Sequence, residues 1–280
     1  MFAYPVLTDY LRKLRGGSQP VLARASDGEL YVVKFANNLQ GSNVLFNECA
    51  GNLLYRTCGL PVPDWKILTV DASFLDRNPG CWMETENGRL RPEEGFCYGS
   101  RYLGGNVLEI LPGSSMNRVE NRVCFWLAWL VDICAGHTDN RQALFQENDK
   151  GGLRAVFVDH GHLLGGPRGE QQVNDLASRY LDTRIYESVS LRSLQTVQRF
   201  VRTLGWKELW PQVLDLPGDW RTDSACQRLS MCIERLSNDE LLGNIVNKMA
   251  RCQSQAHGRD FVHGQHLQKA PVGAVLCFGV

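Results

Sequence analysis

An α+β chain in two lobes is what this sequence predicts: a small β-rich lobe with one main helix, followed by a mostly helical lobe. Three observations carry the prediction. Residues 20–25 and 30–35 are apolar extended segments on either side of Asp27-Gly28, the pattern of a β-hairpin. Residues 42–58 follow a helical period, with Val44, Leu45, Cys49, Leu53 and Leu54 recurring along it. From about 187 to 255 the pattern is helical throughout.

The elements follow in order. Gly16-Gly17-Ser18 forms a turn ahead of the first predicted strand, 20–25, and Asp27-Gly28 returns the chain as 30–35. The helix 42–58 stops at Gly59, and Pro61 and Pro63 prevent it from resuming. Residues 65–70 alternate like a further strand, and 71–95 carry enough turn formers to read as loop. The glycine-punctuated segment 96–105 reads as the hinge between lobes. A helix over 118–135 has so little polar surface that it must be buried, and Gly136 ends it. A loop around Asp139, a strand over 143–145, a polar turn at 147–152 and a strand ending at Asp159 come next. Residues 165–175 are glycine-rich and polar, as a substrate or activation loop would be. Helices are predicted at 187–204, 206–213, 222–236 and 238–254, with Ser237 and Asp239 near the last cap. The expected organisation is a lobe at 1–95, the hinge at 96–105, a helical lobe at 106–255 and a tail at 256–280.

Bulk properties exclude several functions. A chain of 280 residues is long enough for two cores. Thirty basic residues balance thirty acidic ones, so no charge excess points to nucleic acid or to a membrane surface. Ten cysteines are scattered without a C-x-x-C pair, which reads as free thiols packed as small hydrophobes in a reduced cytoplasmic protein. The N-terminus lacks the charged-then-apolar order of a signal peptide. The longest apolar run, 123–135, is interrupted by Asp132 and is shorter than the roughly 20 residues that cross a bilayer.

The chemistry concentrates on Asp139 and Asp159, each where an apolar strand meets a polar turn. Phosphotransferases of the kinase type use one carboxylate to orient the attacking hydroxyl and a second, in an Asp-x-Gly turn, to hold Mg2+ on nucleotide phosphates. Asp159-His160-Gly161 supplies such a turn, and Mg2+ prefers oxygen ligands. Asp139 is then the catalytic residue, acting by positioning more than by deprotonation. Lys34, at the end of a strand, would place positive charge beside the phosphates of ATP, and Glu48 in the following helix would hold it extended. Gly16, Gly17 and Ser18 would offer backbone amides to phosphate oxygens. Phe96 and Tyr98 are candidates to stack on the base. Arg141 could pair with Asp139 or with the transferred phosphate. Gln142, with Asn140 competing, could give the metal an amide oxygen. His137, His160 and His162 leave open a His/Asp metal site of a hydrolase.

At these residues the chain resembles the HipA-like kinases, in the compact bacterial form that lacks the N-terminal subdomain of the full-length toxins. The stretches that carry the resemblance are Gly16-Gly17-Ser18-Gln19-Pro20, Tyr31-Val32-Val33-Lys34-Phe35, Asn43 to Glu48, Leu60-Pro61-Val62-Pro63, Asp139-Asn140-Arg141-Gln142-Ala143 and Phe157-Val158-Asp159-His160-Gly161. The resemblance spans roughly 5–205 and implies a protein-kinase-like fold. It also implies ATP phosphates on Lys34, catalysis by Asp139 and Mg2+ on Asp159. The acceptor would be a hydroxyl of a protein, serine or threonine in type, or of a small molecule. One departure matters: the family places an asparagine five residues after the catalytic aspartate, where this chain has Leu144. A pseudokinase that binds nucleotide without transferring phosphate, and transfer of AMP in place of phosphate, are the rival expectations.

Overall fold

The computed structural model describes residues 4–169, 178–187 and 191–259. Its first part is a five-stranded antiparallel sheet built from β1 (Leu7–Lys13), β2 (Val21–Ala25), β3 (Leu30–Lys34), β4 (Trp65–Val70) and a later strand, β7 (Gly95–Arg101). The order across it is β1-β2-β3-β7-β4. The two-residue period of the strands divides the side chains. Val21, Ala23, Tyr31, Val33, Leu68 and Cys97 enter one core, closed by Phe74 and Leu75 of a short helix, α2 (Ala72–Arg77). Asp71 caps that helix, accepting from the Phe74 N–H at 2.7 Å. The two outer strands also meet at one end: Val6 bridges Thr69 in parallel, and the Thr69 N–H donates to the Pro5 carbonyl at 2.9 Å.

The helix α1 (Val44–Thr57) follows β3, but its apolar side chains belong to a second, larger core shared with the helical part. The centre of that core is α3 (Val123–Ala135), with Phe125, Trp126 and Trp129 fully or almost fully buried. A three-stranded sheet of order β10-β9-β8 lies beside it: β8 (Val107–Leu108), β9 (Gln142–Glu147) and β10 (Leu153–Val158). Then come α4 (Leu191–Arg202), α5 (Leu209–Leu214), α6 (Asp223–Ser237) and α7 (Asp239–Arg259). No described helix is long and apolar enough to cross a membrane. The nine described cysteines are all free thiols.

The structure departs from the sequence reading in four places. Strand β1 is not predicted, because it is an outer strand with two register shifts against β2 and therefore shows no clean alternation of buried and exposed residues. Residues 71–95 are not simply loop: they hold α2 and a small hairpin of β5 (Met83–Thr85) and β6 (Gly88–Leu90), whose largely exposed strands leave no apolar pattern. The expected hinge at 96–105 begins as strand β7, inside the sheet, and only 102–106 lacks regular structure. The buried helix starts at Val123 rather than 118, because 3-10 turns of Gly113–Arg118 precede it and Val119 bridges Leu153. Most of the glycine-rich loop expected at 165–175, and the tail beyond 259, lie outside the described residues.

One glycine governs how α1 seats. A Cβ on Gly51 would come within 2.5 Å of the His160 Cβ and of the Leu163 Cδ1. The Gly51→Ala variant is therefore expected to lose about 1–3 kcal/mol from overpacking, against a helix-propensity gain of about 1. A urea midpoint unchanged or raised in this variant would show that the helix can shift freely.

Candidate active site

Three elements meet at Lys34. Strand β3 ends on this residue, whose side chain lies on the sheet face opposite Val33, and its backbone pairs with Tyr98 of β7. Helix α1 brings Glu48 alongside, and the turn after β10 brings Asp159. The Lys34 ammonium donates to the Glu48 Oε1 in a buried ion pair and to the Asp159 Oδ1 at 2.9 Å. Glu48 in turn accepts from the backbone N–H of His160 at 3.1 Å and of Gly161 at 3.0 Å. One helix residue thus fixes both the lysine and the acidic turn. Its neighbour Asn47 adds two contacts, donating to the carbonyls of Gly161 at 3.0 Å and Gly166 at 3.1 Å.

Electrostatics favour the charged forms of Lys34 and Asp159. Burial disfavours the Lys34 ammonium, but Asp159 and Glu48 override it and its pKa rises. Burial likewise pushes the Asp159 carboxyl up, and the adjacent ammonium wins, holding it well below the usual carboxylate range. Glu48 goes the other way: complete burial and the nearby Asp159 lift it, against the pull of Lys34. Asp159 itself sits at φ +59°, in the left-handed region that costs an ordinary residue roughly 1–2 kcal/mol. Gly161, the glycine of this turn, is not among the positive-φ residues; the aspartate is.

The cleft beside this trio has two chambers. The inner one, about 260 Å3, is lined by Val32, Lys34, Glu48, Tyr98, residues 100–103 and Leu144. The outer one, about 740 Å3, is lined by Gly17, Gln40, Asp139, Asn140, His162 and Leu181. They share a wall of Arg15, Gly16, Ser18, Glu109, Gln142, Leu144, Val158 and Asp159. Gln142 stands opposite Val158 in the β9–β10 register, which brings it next to Asp159. Gln142 and Leu144 share a face of β9, so the residue at the expected asparagine position contributes an apolar surface to both chambers.

Asp139 is held by its own loop. Its carboxylate accepts from the Asn140 N–H at 2.7 Å, and its carbonyl meets the His137 Nδ1 at 2.5 Å. Asn140 donates to the Arg179 carbonyl at 3.3 Å. A string of polar contacts also crosses the outer chamber: the Gln40 side chain lies 3.0 Å from the His162 Nε2, and the His162 Nδ1 lies 3.1 Å from the Thr138 hydroxyl. Neither Gln40 nor His162 had been singled out for this role, since nothing in their local sequence marks it.

Two expected residues make contacts other than those expected of them. Arg141 lines the outer chamber but forms no ion pair with Asp139. Its guanidinium is buried, donating to both Asp132 carboxylate oxygens at 2.9 and 2.8 Å and to the carbonyls of Val158 and Asp159, each at 3.1 Å. It fixes the backbone beneath the acidic turn. Phe96 misses the cleft: it is exposed near the start of β7, packing edge-on against Tyr4, two residues from the cleft-lining Tyr98. The hydrolase-type metal site finds no support, since among the described residues no three His, Cys, Asp or Glu side chains are grouped to hold a metal. The His160 ring is packed against Tyr55, centroids 4.6 Å apart.

No curated protein matches the chain in sequence. A Helicobacter pylori proinflammatory kinase, CtkA, is similar in structure, with a TM-score of 0.52 at 12% identity, covering 86% of this chain and 95% of that one. That likeness shows the fold, a kinase fold with a sheet-rich first part and a helical second part. The Golgi casein kinase with Mn/ADP bound aligns at a TM-score of 0.45 and 12% identity over 87% of this chain and 72% of that one, too distant to carry an argument. In sequence, residues 9–121, from β1 to the approach to α3, match the family model of the HipA-like kinases.

Proposed function

We propose that this protein is a phosphotransferase that uses ATP and Mg2+ to phosphorylate a hydroxyl of a protein or small molecule. The observation that carries the reading is the Lys34 ammonium, held between Glu48 and Asp159 in a chamber that shares a wall with the chamber of Asp139. The inner chamber would take the nucleotide, with Tyr98 and residues 100–103 on the base side and Gly16 and Ser18 on the phosphate side. The outer chamber would take the acceptor. The acceptor oxygen bonds to the γ-phosphorus as the bond to the β,γ-bridging oxygen breaks. ADP leaves with that electron pair, and the hydroxyl proton passes to Asp139 and then to water.

The donor set fits Mg2+. Asp159 offers a carboxylate and Gln142 an amide oxygen, from adjacent positions on the shared wall. Two protein oxygens suffice for an ion that keeps several waters and takes the rest of its shell from phosphate. Bound there, it would neutralise charge developing on the phosphoryl oxygens. The reading includes a cytoplasmic setting, supported by the free thiols.

Leu144 at the asparagine position favours one rival, a pseudokinase. ATP with Mg2+ at about 100 times its dissociation constant should stabilise the protein by ~2.7 kcal/mol, several degrees of melting temperature, under either reading. No shift with ATP, with or without Mg2+, would sink both. Label transferred from γ-labelled ATP to any acceptor, the protein itself included, separates them.

A further inference from the structure

Among the basic residues that line the two chambers, Arg15 stands apart. Lys34 is taken by Glu48 and Asp159, Arg141 by Asp132, and Arg101 by Glu29 at 2.7 Å. Arg12 also has a partner. Arg15, exposed, forms no ion pair or hydrogen bond with any described residue. It lines both chambers, while Lys34 lines only the inner one.

Its mount is firm. Arg15 follows β1 and precedes the Gly16 turn. At the base of that turn the Leu14 N–H donates to the Pro20 carbonyl at 2.8 Å, and the Gln19 N–H donates to the Gly16 carbonyl at 3.0 Å. On the far side, the Gln19 side-chain amide pairs with both backbone groups of Glu84, each at 2.7 Å, as a neighbouring strand would. The turn is thus clamped to the β5–β6 hairpin, and the arginine projects from a fixed base.

Charge decides what this arginine would meet. Glu109 and Asp159 are on the shared wall and Asp139 is in the outer chamber, so an anionic group entering there finds mostly acid. An arginine with a free fork offers such a group paired hydrogen bonds.

We propose that Arg15 reads the terminal phosphate of the nucleotide, making the site select a nucleoside triphosphate over a diphosphate. The inference rests on the phosphotransferase reading and adds to it the residue that distinguishes substrate from product. It also explains why the arginine belongs to both chambers: the phosphoryl group it holds is the one passed between them.

The test is calorimetric binding of the non-hydrolysable analogue AMP-PNP and of ADP, each with Mg2+, to the full chain and to its Arg15→Ala and Arg15→Lys variants. In Arg15→Ala the preference for the triphosphate should fall about tenfold, the worth of one charge-assisted contact, with ADP affinity nearly unchanged. Arg15→Lys should recover part of the preference, keeping charge without the fork. Equal losses for both nucleotides, or no loss, would overturn the inference and leave the phosphotransferase reading standing. A wild-type protein that binds neither nucleotide would end both. Arg15 is exposed, so the fold should not depend on it.

Discussion

Arg141→Met is expected to destabilise the protein by about 3–5 kcal/mol, the usual consequence of leaving a buried charge without its partner. Asp132 has no exposed surface and accepts from Arg141 and from the Tyr55 hydroxyl, the latter at 2.7 Å. Burial pushes the Asp132 carboxyl up, and the guanidinium pulls against it. With the guanidinium gone, only burial and the tyrosine remain, so the folded-state pKa should rise further above the unfolded value. A carboxyl raised in this way is less costly below its unfolded pKa, and its penalty grows as pH climbs through the folded one. The variant should therefore be least handicapped near pH 4 and most handicapped at neutral pH. Urea midpoints measured across that range test the sign. A penalty under about 1 kcal/mol at pH 7, or one that shrinks as pH rises, would show that the pair is not what holds this layer together. Asp132→Leu combined with Arg141→Met should recover much of the stability, since well-packed apolar replacements of buried ion pairs are often neutral. It would still lose the two contacts that the guanidinium makes to the carbonyls of Val158 and Asp159.

Asp139→Ala is expected to lower phosphate transfer by about a thousandfold or more while leaving nucleotide binding within about twofold, since orienting an acceptor supplies barrier reduction and not ground-state affinity for ATP. The two proposed roles fall to residues in different chambers. Asp139 lines the outer chamber and makes no ion pair with any described residue, whereas Lys34 and Glu48 line only the inner one and Asp159 stands on the wall between. Label transfer and calorimetric ATP binding, measured on the same preparations, give the two readouts. Transfer that survives the substitution would remove Asp139 from the reaction. A large loss of ATP affinity would mean that the residue serves the nucleotide side. Asp139→Asn should keep the shape of the loop and lose the transfer, which excludes collapse of the loop as the cause.

Part of the candidate site was legible in the residues, and the reasons are local. Lys34, Asp139 and Asp159 stand at strand ends beside polar turns, where period and composition change together. Asp132 was visible too, as an acid interrupting an apolar helix, and burial rules alone demand that such a group be paired. The identity of its partner was not visible, because Arg141 lies on a loop whose direction depends on how α3 packs against β9 and β10. Gln40, Arg15 and the contacts of His162 with Gln40 and Thr138 escaped for a similar reason: each depends on the approach of segments remote in sequence. Strand β1 escaped because an outer, bulged strand has no buried face to write into its pattern. Phe96 falls outside the cleft for want of reach, since β7 lines it from Tyr98 onward and not at its beginning.

The junction of Val6 with Thr69 has a consequence for the protein's behaviour in concentrated solution. An open sheet presents a row of unsatisfied amides and carbonyls that a second molecule can template upon. Here the entering chain covers part of the outermost strand, so intermolecular stacking has less to grip. Removing the first six residues would bare that strand at Thr69, and the shortened chain should self-associate while its cleft remains intact.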